Sequence, residues 1–104
     1  MAARKIRPIR VEGNVAYITL TKGYVAIIDA LDVPIVSGFN WCARVDFKSD
    51  GGVRCVYAFR RGPRGAMAAL VHLHRAIKPV SDGRLIDHID GDGLNNRRQN
   101  LRHA

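Results

Sequence analysis

No apolar run in the chain approaches the roughly 20 residues that a bilayer-spanning helix needs. The N-terminal stretch MAARKIRPIR has basic residues but no apolar core segment, so it does not read as a secretory signal. Only two cysteines occur, Cys42 and Cys55, and in the cytoplasmic setting expected of such a chain they are reduced thiols. Acidic residues are scarce, 9 against 17 Lys and Arg, which leaves a net charge of +8. That excess makes a polyanion the leading partner, nucleic acid before a membrane surface. Arg dominates the basic set, and its planar fork suits bidentate contact with phosphate. Internal repeats and low-complexity tracts are also lacking, and 47% hydrophobic with 25% charged residues is a globular composition. At 104 residues the chain makes one small domain with one modest core.

The pattern along the chain predicts an α+β fold. Residues 4–11 (RKIRPIRV) read as an extended arm or edge strand because of Pro8. A turn at residues 12–14 leads into a strand over residues 15–20 (VAYITL), and Thr21-Lys22-Gly23 turns back into a partner strand over 24–29 (YVAIID). A short helix fits residues 30–38, with Asp29 able to cap it and Gly38 able to stop it. Residues 40–47 alternate, placing Trp41, Ala43, Val45 and Phe47 on one face. After a turn at 49–52, residues 53–61 form the next strand, with Val53, Cys55, Tyr57 and Phe59 on one face. Composition breaks at residues 62–65 (GPRG). Residues 66–77 (AMAALVHLHRAI) then predict a strand leading into a helix, or one continuous helix, ended by Lys78-Pro79. A short strand over 85–89 and a partner over 100–104 close the chain.

The last eighteen residues (DHIDGDGLNNRRQNLRHA) carry the chemistry. Asp87 is a hard oxygen ligand suited to magnesium. Beside it His88 is an imidazole of the kind that takes a proton from water near neutral pH. Neighbours in a strand point apart, but at a strand end entering a loop both side chains can converge on one site. Metal-assisted phosphodiester hydrolysis needs both parts, a cation to stabilise charge and a base to activate the nucleophile. The plain alternative is a turn, since Asp90-Gly91-Asp92-Gly93 and Asn95-Asn96 are strong turn formers. An EF-hand is excluded: Asn95 stands at the sixth position where Gly is needed, and Gln99, Asn100 and Leu101 stand where the bidentate Glu belongs. Cys42, Cys55, His72 and His74 do not have zinc-finger spacing.

LHRAI (residues 73–77) and DGRLIDHIDGDGLNNRRQNLR (residues 82–102) together resemble the HNH endonucleases of phage and mobile elements, the free-standing homing type. LTKGYVAIID (20–29), the lone Trp41 and YAFRR (57–61) resemble the strand-rich N-terminal part of that family. The resemblance implies a ββα-metal site in a protein of the bacterial host cytoplasm. It implies Asp87 as a metal ligand, His88 as the general base, Asn100 as the central Asn that braces the loop and orients the His, and Asn96 as a second brace. It further implies Mg2+ (or Mn2+) and cleavage of double-stranded DNA to leave a 5′-phosphate. One departure stands out. The family's last metal ligand sits on a helix some nine residues past the central Asn, a place beyond Ala104. The expected layout is therefore a single domain: a basic arm (1–13), a strand-rich subdomain of about four strands and one short helix (14–61), and an HNH-like subdomain (66–104) with a helix and a ββ(α)-metal hairpin truncated at its C-terminus.

Three basic groups are candidate phosphate contacts: Arg97, Arg98 and Arg102 around the loop, Arg60, Arg61 and Arg64 at the end of the fourth strand, and Arg4, Lys5, Arg7 and Arg10 in the arm. The resemblance places Arg75 near the active site, and His74 with it. The expected function is a metal-dependent DNA endonuclease. The alternative is a catalytically silent DNA-binding protein on a degenerate HNH scaffold. A homo-oligomer, or a partner chain that supplies the absent helix, is a further expectation, and no membrane is.

Overall fold

The structure is a computed structural model that describes residues 5–62, 70–79 and 85–103. Its class is α+β, as expected. Strands β1 (Ile9–Glu12), β2 (Val15–Thr19) and β3 (Val25–Asp29) form an antiparallel sheet in the order β1-β2-β3. Gly13 makes the first turn at φ +61°, a conformation glycine adopts without steric cost. Alternation sets the register: Ala16 pairs with Ile28 and Ile18 with Ala26, so small faces large on the buried side. Pro8 precedes β1, which lies at the sheet edge and lacks a partner there to need its N–H.

Residues 30–38 form two short pieces rather than one helix: a 3-10 turn, Ala30–Asp32, and α1 (Val33–Val36) with Pro34 in its first turn. Asp29 does not cap them. Its carboxylate is drawn instead to Arg97 and the backbone of Arg98, which offer a charged partner. Gly38, at φ +89°, does follow the helix end.

A second antiparallel sheet has the order β4-β5-β6, from β4 (Cys42–Phe47), β5 (Val53–Arg61) and β6 (Leu70–His72). Trp41 and Ala43 are buried as the alternation predicts, but Phe47 is exposed because the register shifts between Asp46 and Phe47. On β5 the core face is carried by Ala58, paired with Ala43. Tyr57 and Phe59 therefore lie on the opposite face. Residues 66–69 are outside the described set. Leu70–His72 is strand and α2 (Leu73–Ile77) is a single short helix, so the strand-then-helix reading is the one realised. Among the described residues no helix is long and apolar enough to cross a membrane.

β7 (Ile86–His88) and β8 (Leu101–His103) form a separate antiparallel pair. One hydrophobic cluster ties the three sheets together, with Ile28 from β3, Trp41 beside β4, Leu73 and Ile77 from α2 and Leu101 from β8. Trp41 buries its ring and satisfies its indole N–H on the Val36 carbonyl at 3.0 Å, so that donor is not stranded in the core.

Candidate hydrolytic site and nucleic-acid interface

The β7–β8 pair holds a twelve-residue connection (89–100) whose shape is set from within. The Asn100 side chain accepts the Asp90 N–H at 3.0 Å and donates to the Asp90 carboxylate and the Asn95 carbonyl, both at 2.9 Å. Asp90 also accepts from the Asp92 N–H and from Asn95, at 2.8 and 2.9 Å. The Asp92 backbone N–H, then Asn95 and Asn100, hold the Asp90 carboxyl below the usual carboxylate range. Asn100 thus braces the loop as expected, and it is buried.

The loop is also docked on both neighbouring sheets. Ile27 of β3 donates its N–H to the Leu94 carbonyl and accepts from the Asn96 N–H, each at 2.8 Å, so residues 94–96 cover that edge of β3. On the other side Gly93 is pressed against β5. A Cβ there would collide with the Val56 carbonyl and the Tyr57 ring, so the close approach requires glycine.

His88 is buried at the centre of this arrangement. Its Nε2 lies 3.0 Å from Asn96 Oδ1, and Asn96 is itself fully buried. Asn96 Nδ2 is turned to the Gly93 carbonyl at 3.4 Å, which leaves Oδ1 facing the imidazole. An amide oxygen only accepts, so Nε2 is the donor of this pair. The His partner is thus Asn96 and not Asn100, which the loop consumes. The His88 ring packs tilted on Tyr57 at 5.9 Å and edge-on to His74 at 5.3 Å. His72 stacks on His74 at 5.3 Å.

Asp87 and His88 do not converge as expected. His88 is still in the ladder, paired with Leu101, so strict alternation holds and the two side chains leave opposite faces. Asp87 turns to Arg102, with Oδ2 accepting from Nη2 at 2.9 Å and Nε at 3.1 Å. Tyr57, against which His88 packs, has its phenol pushed up to about 12 by the Cys55 thiol, by burial, and by the charges of Asp46 and Asp87.

The three arginines of the loop region are likewise engaged in the fold. Arg97 bonds Asp29 at 2.9 Å. Arg98 reaches the buried Asp32 with three bonds of 2.9 to 3.1 Å, because a carboxylate removed from water needs a charged partner. At Asp29 burial works to raise the pKa, but the Arg98 N–H and Arg97 outweigh it and hold the carboxyl low. These pairs clip the C-terminal hairpin to β3 and the turn after it, which gives Arg97 and Arg98, expected as DNA contacts, a role inside the fold. Of the other basic groups, Arg7 is tied to the Thr19 and Trp41 carbonyls, and Arg10 pairs with Glu12. Arg4 and Arg64 lie outside the described residues.

A cavity of about 410 Å³ opens beside the hairpin, lined by Arg44, Tyr57, His72, His74, Arg75 and Ile86 among others. Arg75 is exposed there. His74 is driven down to about 4, first by burial and then by the charges of His88, His72 and Arg75, so it is neutral at neutral pH. Burial, with Arg44 and Arg75, lowers His72 too. Arg44, Tyr57 and His72 were not picked out from the sequence as site residues. For Arg44 and Tyr57 the signal was the alternation on β4 and β5, which places Arg44 opposite Tyr57 once the register is known; His72 lies on β6.

Among the described residues no three His, Cys, Asp or Glu side chains converge as a metal-binding group. Zinc and calcium sites need such a set. Magnesium is commonly held by one or two carboxylates with water and substrate phosphate, and half-exposed Asp87, with both Arg102 bonds on Oδ2, fits that mode. No family model matches this chain, and neither curated proteins nor solved structures give a match.

Proposed function

We propose that this chain is a metal-dependent DNA endonuclease of the HNH type. The His88–Asn96 pair carries the reading, because a histidine with a fixed tautomer is what general-base catalysis needs. The cavity beside it offers a phosphate backbone Arg75 and an Arg44 that shares its charge with Asp46 at 3.5 Å, and the neutral His72 and His74 supply polar contacts without repelling His88 when it gains a proton. His88 takes the proton from the attacking water. Asn96 holds the ring as charge develops on it. Asp87 is the carboxylate that would hold Mg2+ to stabilise negative charge on the phosphate; it leaves the face of β7 opposite His88, which weighs toward a catalytically silent protein. Asn100 and Gly93 keep the loop, and so Asn96, in place.

A second reading is a silent DNA-binding protein on the same scaffold. The Asp87–Arg102 ion pair favours it, since a carboxylate neutralised by a guanidinium binds a cation less well. Plasmid relaxation separates the two. The endonuclease nicks supercoiled DNA with magnesium, His88→Ala abolishes nicking while duplex affinity stays, and Asp87→Ala abolishes the metal-dependent nicking. Duplex binding without any nicking by the unaltered protein, at high concentration and with manganese, would establish the silent reading instead.

A further inference from the structure

Arg44 and Asp46 stand two residues apart on β4 and so on one face, the outward one that also carries Tyr57 of β5. Both line the cavity beside His88. Their contact is loose, with Arg44 Nε 3.5 Å from Asp46 Oδ1, and about half of each side chain is exposed. Among the described residues Asp46 Oδ2 and the Arg44 Nη donors have no hydrogen-bond partner. A carboxylate in the wall repels a phosphate. This end of the cavity therefore suits an uncharged group that offers donors to Asp46 and an acceptor to Arg44. The rest of the lining sets the shape of that group. Tyr57, His72 and His74 supply aromatic surface, and Leu70, Leu85 and Ile86 supply apolar surface. Leu70 and Leu85 are exposed, and side chains of that kind gain from being covered. Aromatic surface with polar groups at one edge is how proteins hold an unstacked base. The volume of about 410 Å³ lies in the range of small-ligand sites, roughly 300–1,000 Å³.

We infer that this cavity takes an unpaired guanine next to the phosphate cut at His88, with Asp46 accepting from the guanine N1–H and N2–H and Arg44 donating to O6. The inference rests on the proposed function and names the substrate of that site. Guanine alone among the four DNA bases carries two adjacent N–H donors beside a carbonyl. In a duplex its cytosine partner occupies all three groups. The guanine is therefore unpaired or turned out of the helix, at a cost that a single strand or a bulge avoids. His88 packs on Tyr57 and His74, two walls of the cavity, so a base seated there leaves its own phosphate beside the imidazole. Asp46 and Arg44 select the substrate and take no part in the chemistry.

The test uses the full chain and short single-stranded DNAs of equal length that hold one guanine, or inosine or adenine in its place. Affinity is read by fluorescence anisotropy without magnesium. The three strands carry the same charge, so their phosphate contacts cancel, and inosine lacks only the N2 amino group. The guanine strand should bind roughly tenfold tighter than the inosine strand, and tighter still than the adenine strand. It should also shift the Tyr57 ring resonances. Asp46→Ala should remove the difference between guanine and inosine without weakening the adenine strand. With magnesium added, cleavage should fall beside the guanine. Equal binding of the three strands would overturn this inference, and cleavage of them by the same protein would leave the endonuclease reading standing. Guanine-selective binding with no cleavage in magnesium or manganese would overturn the endonuclease reading and leave a base-binding site.

Discussion

His88 and Asn96 meet through a 3.0 Å contact between Nε2 and Oδ1, with both side chains buried. An amide that is itself held by the Gly93 carbonyl thereby sets the tautomer of the imidazole. Asn96→Ala should lower nicking roughly ten- to a hundredfold, part of what a positioned base contributes. It should also destabilise the fold by about 1–3 kcal/mol, because the buried His88 donor loses its acceptor. Asn96→Asp should raise the acidic limb of the pH–rate profile, since a carboxylate beside the ring favours its charged form. An acidic limb that does not move would show that Asn96 does not act through His88.

Asn100→Ala removes three hydrogen bonds that close the loop. At about 1 kcal/mol each the loss is roughly 3 kcal/mol, or a fall in Tm of the order of 15 °C. Asn100→Asp should not restore stability, because it cannot donate to Asp90 or to the Asn95 carbonyl. Thermal melts of both variants check this, and an unchanged Tm would refute the bracing role.

Gly93→Ala should cost about 1–3 kcal/mol by pushing the loop off β5. The control is Gly91→Ala. There a Cβ meets nothing, and the cost comes only from the φ of +77°, so it should strain the turn without disturbing Tyr57. Denaturant melts give the costs, and the Tyr57 ring resonances report whether the packing moved. Equal effects on Tyr57 from both variants would contradict the docking of Gly93.

His74 has a folded pKa of about 4 against 6.5 for a free side chain. Between those values the unfolded chain binds the proton and the folded chain does not. Stability is therefore complete above about pH 6.5 and falls as the pH drops toward 4. Asp29, held below the usual range, adds a further loss only at lower pH still. Melts from pH 8 to 4 should show this slope, and His74→Gln should reduce it above pH 4.5, leaving the part due to His72, which burial also lowers. An undiminished slope after the substitution would assign the loss to another group.

Local physics determined much of this protein in advance. Period-two alternation marked out the hairpin over residues 15–29 and the paired strands at 42–47 and 53–61, since a half-buried strand must alternate whatever it packs on. The Gly- and Asn-rich loop and its brace Asn100 were legible because every partner of that side chain lies within ten residues. Only the tertiary structure decided what the loop is for. It set Ile27 against Leu94 and Asn96, gave Arg97 and Arg98 to carboxylates 66 to 69 residues away, and enclosed His88 between Asn96, Tyr57 and His74. Such pairings follow from which buried charge or open strand edge lies within reach once the sheets have packed, and short-range periodicity carries no record of that.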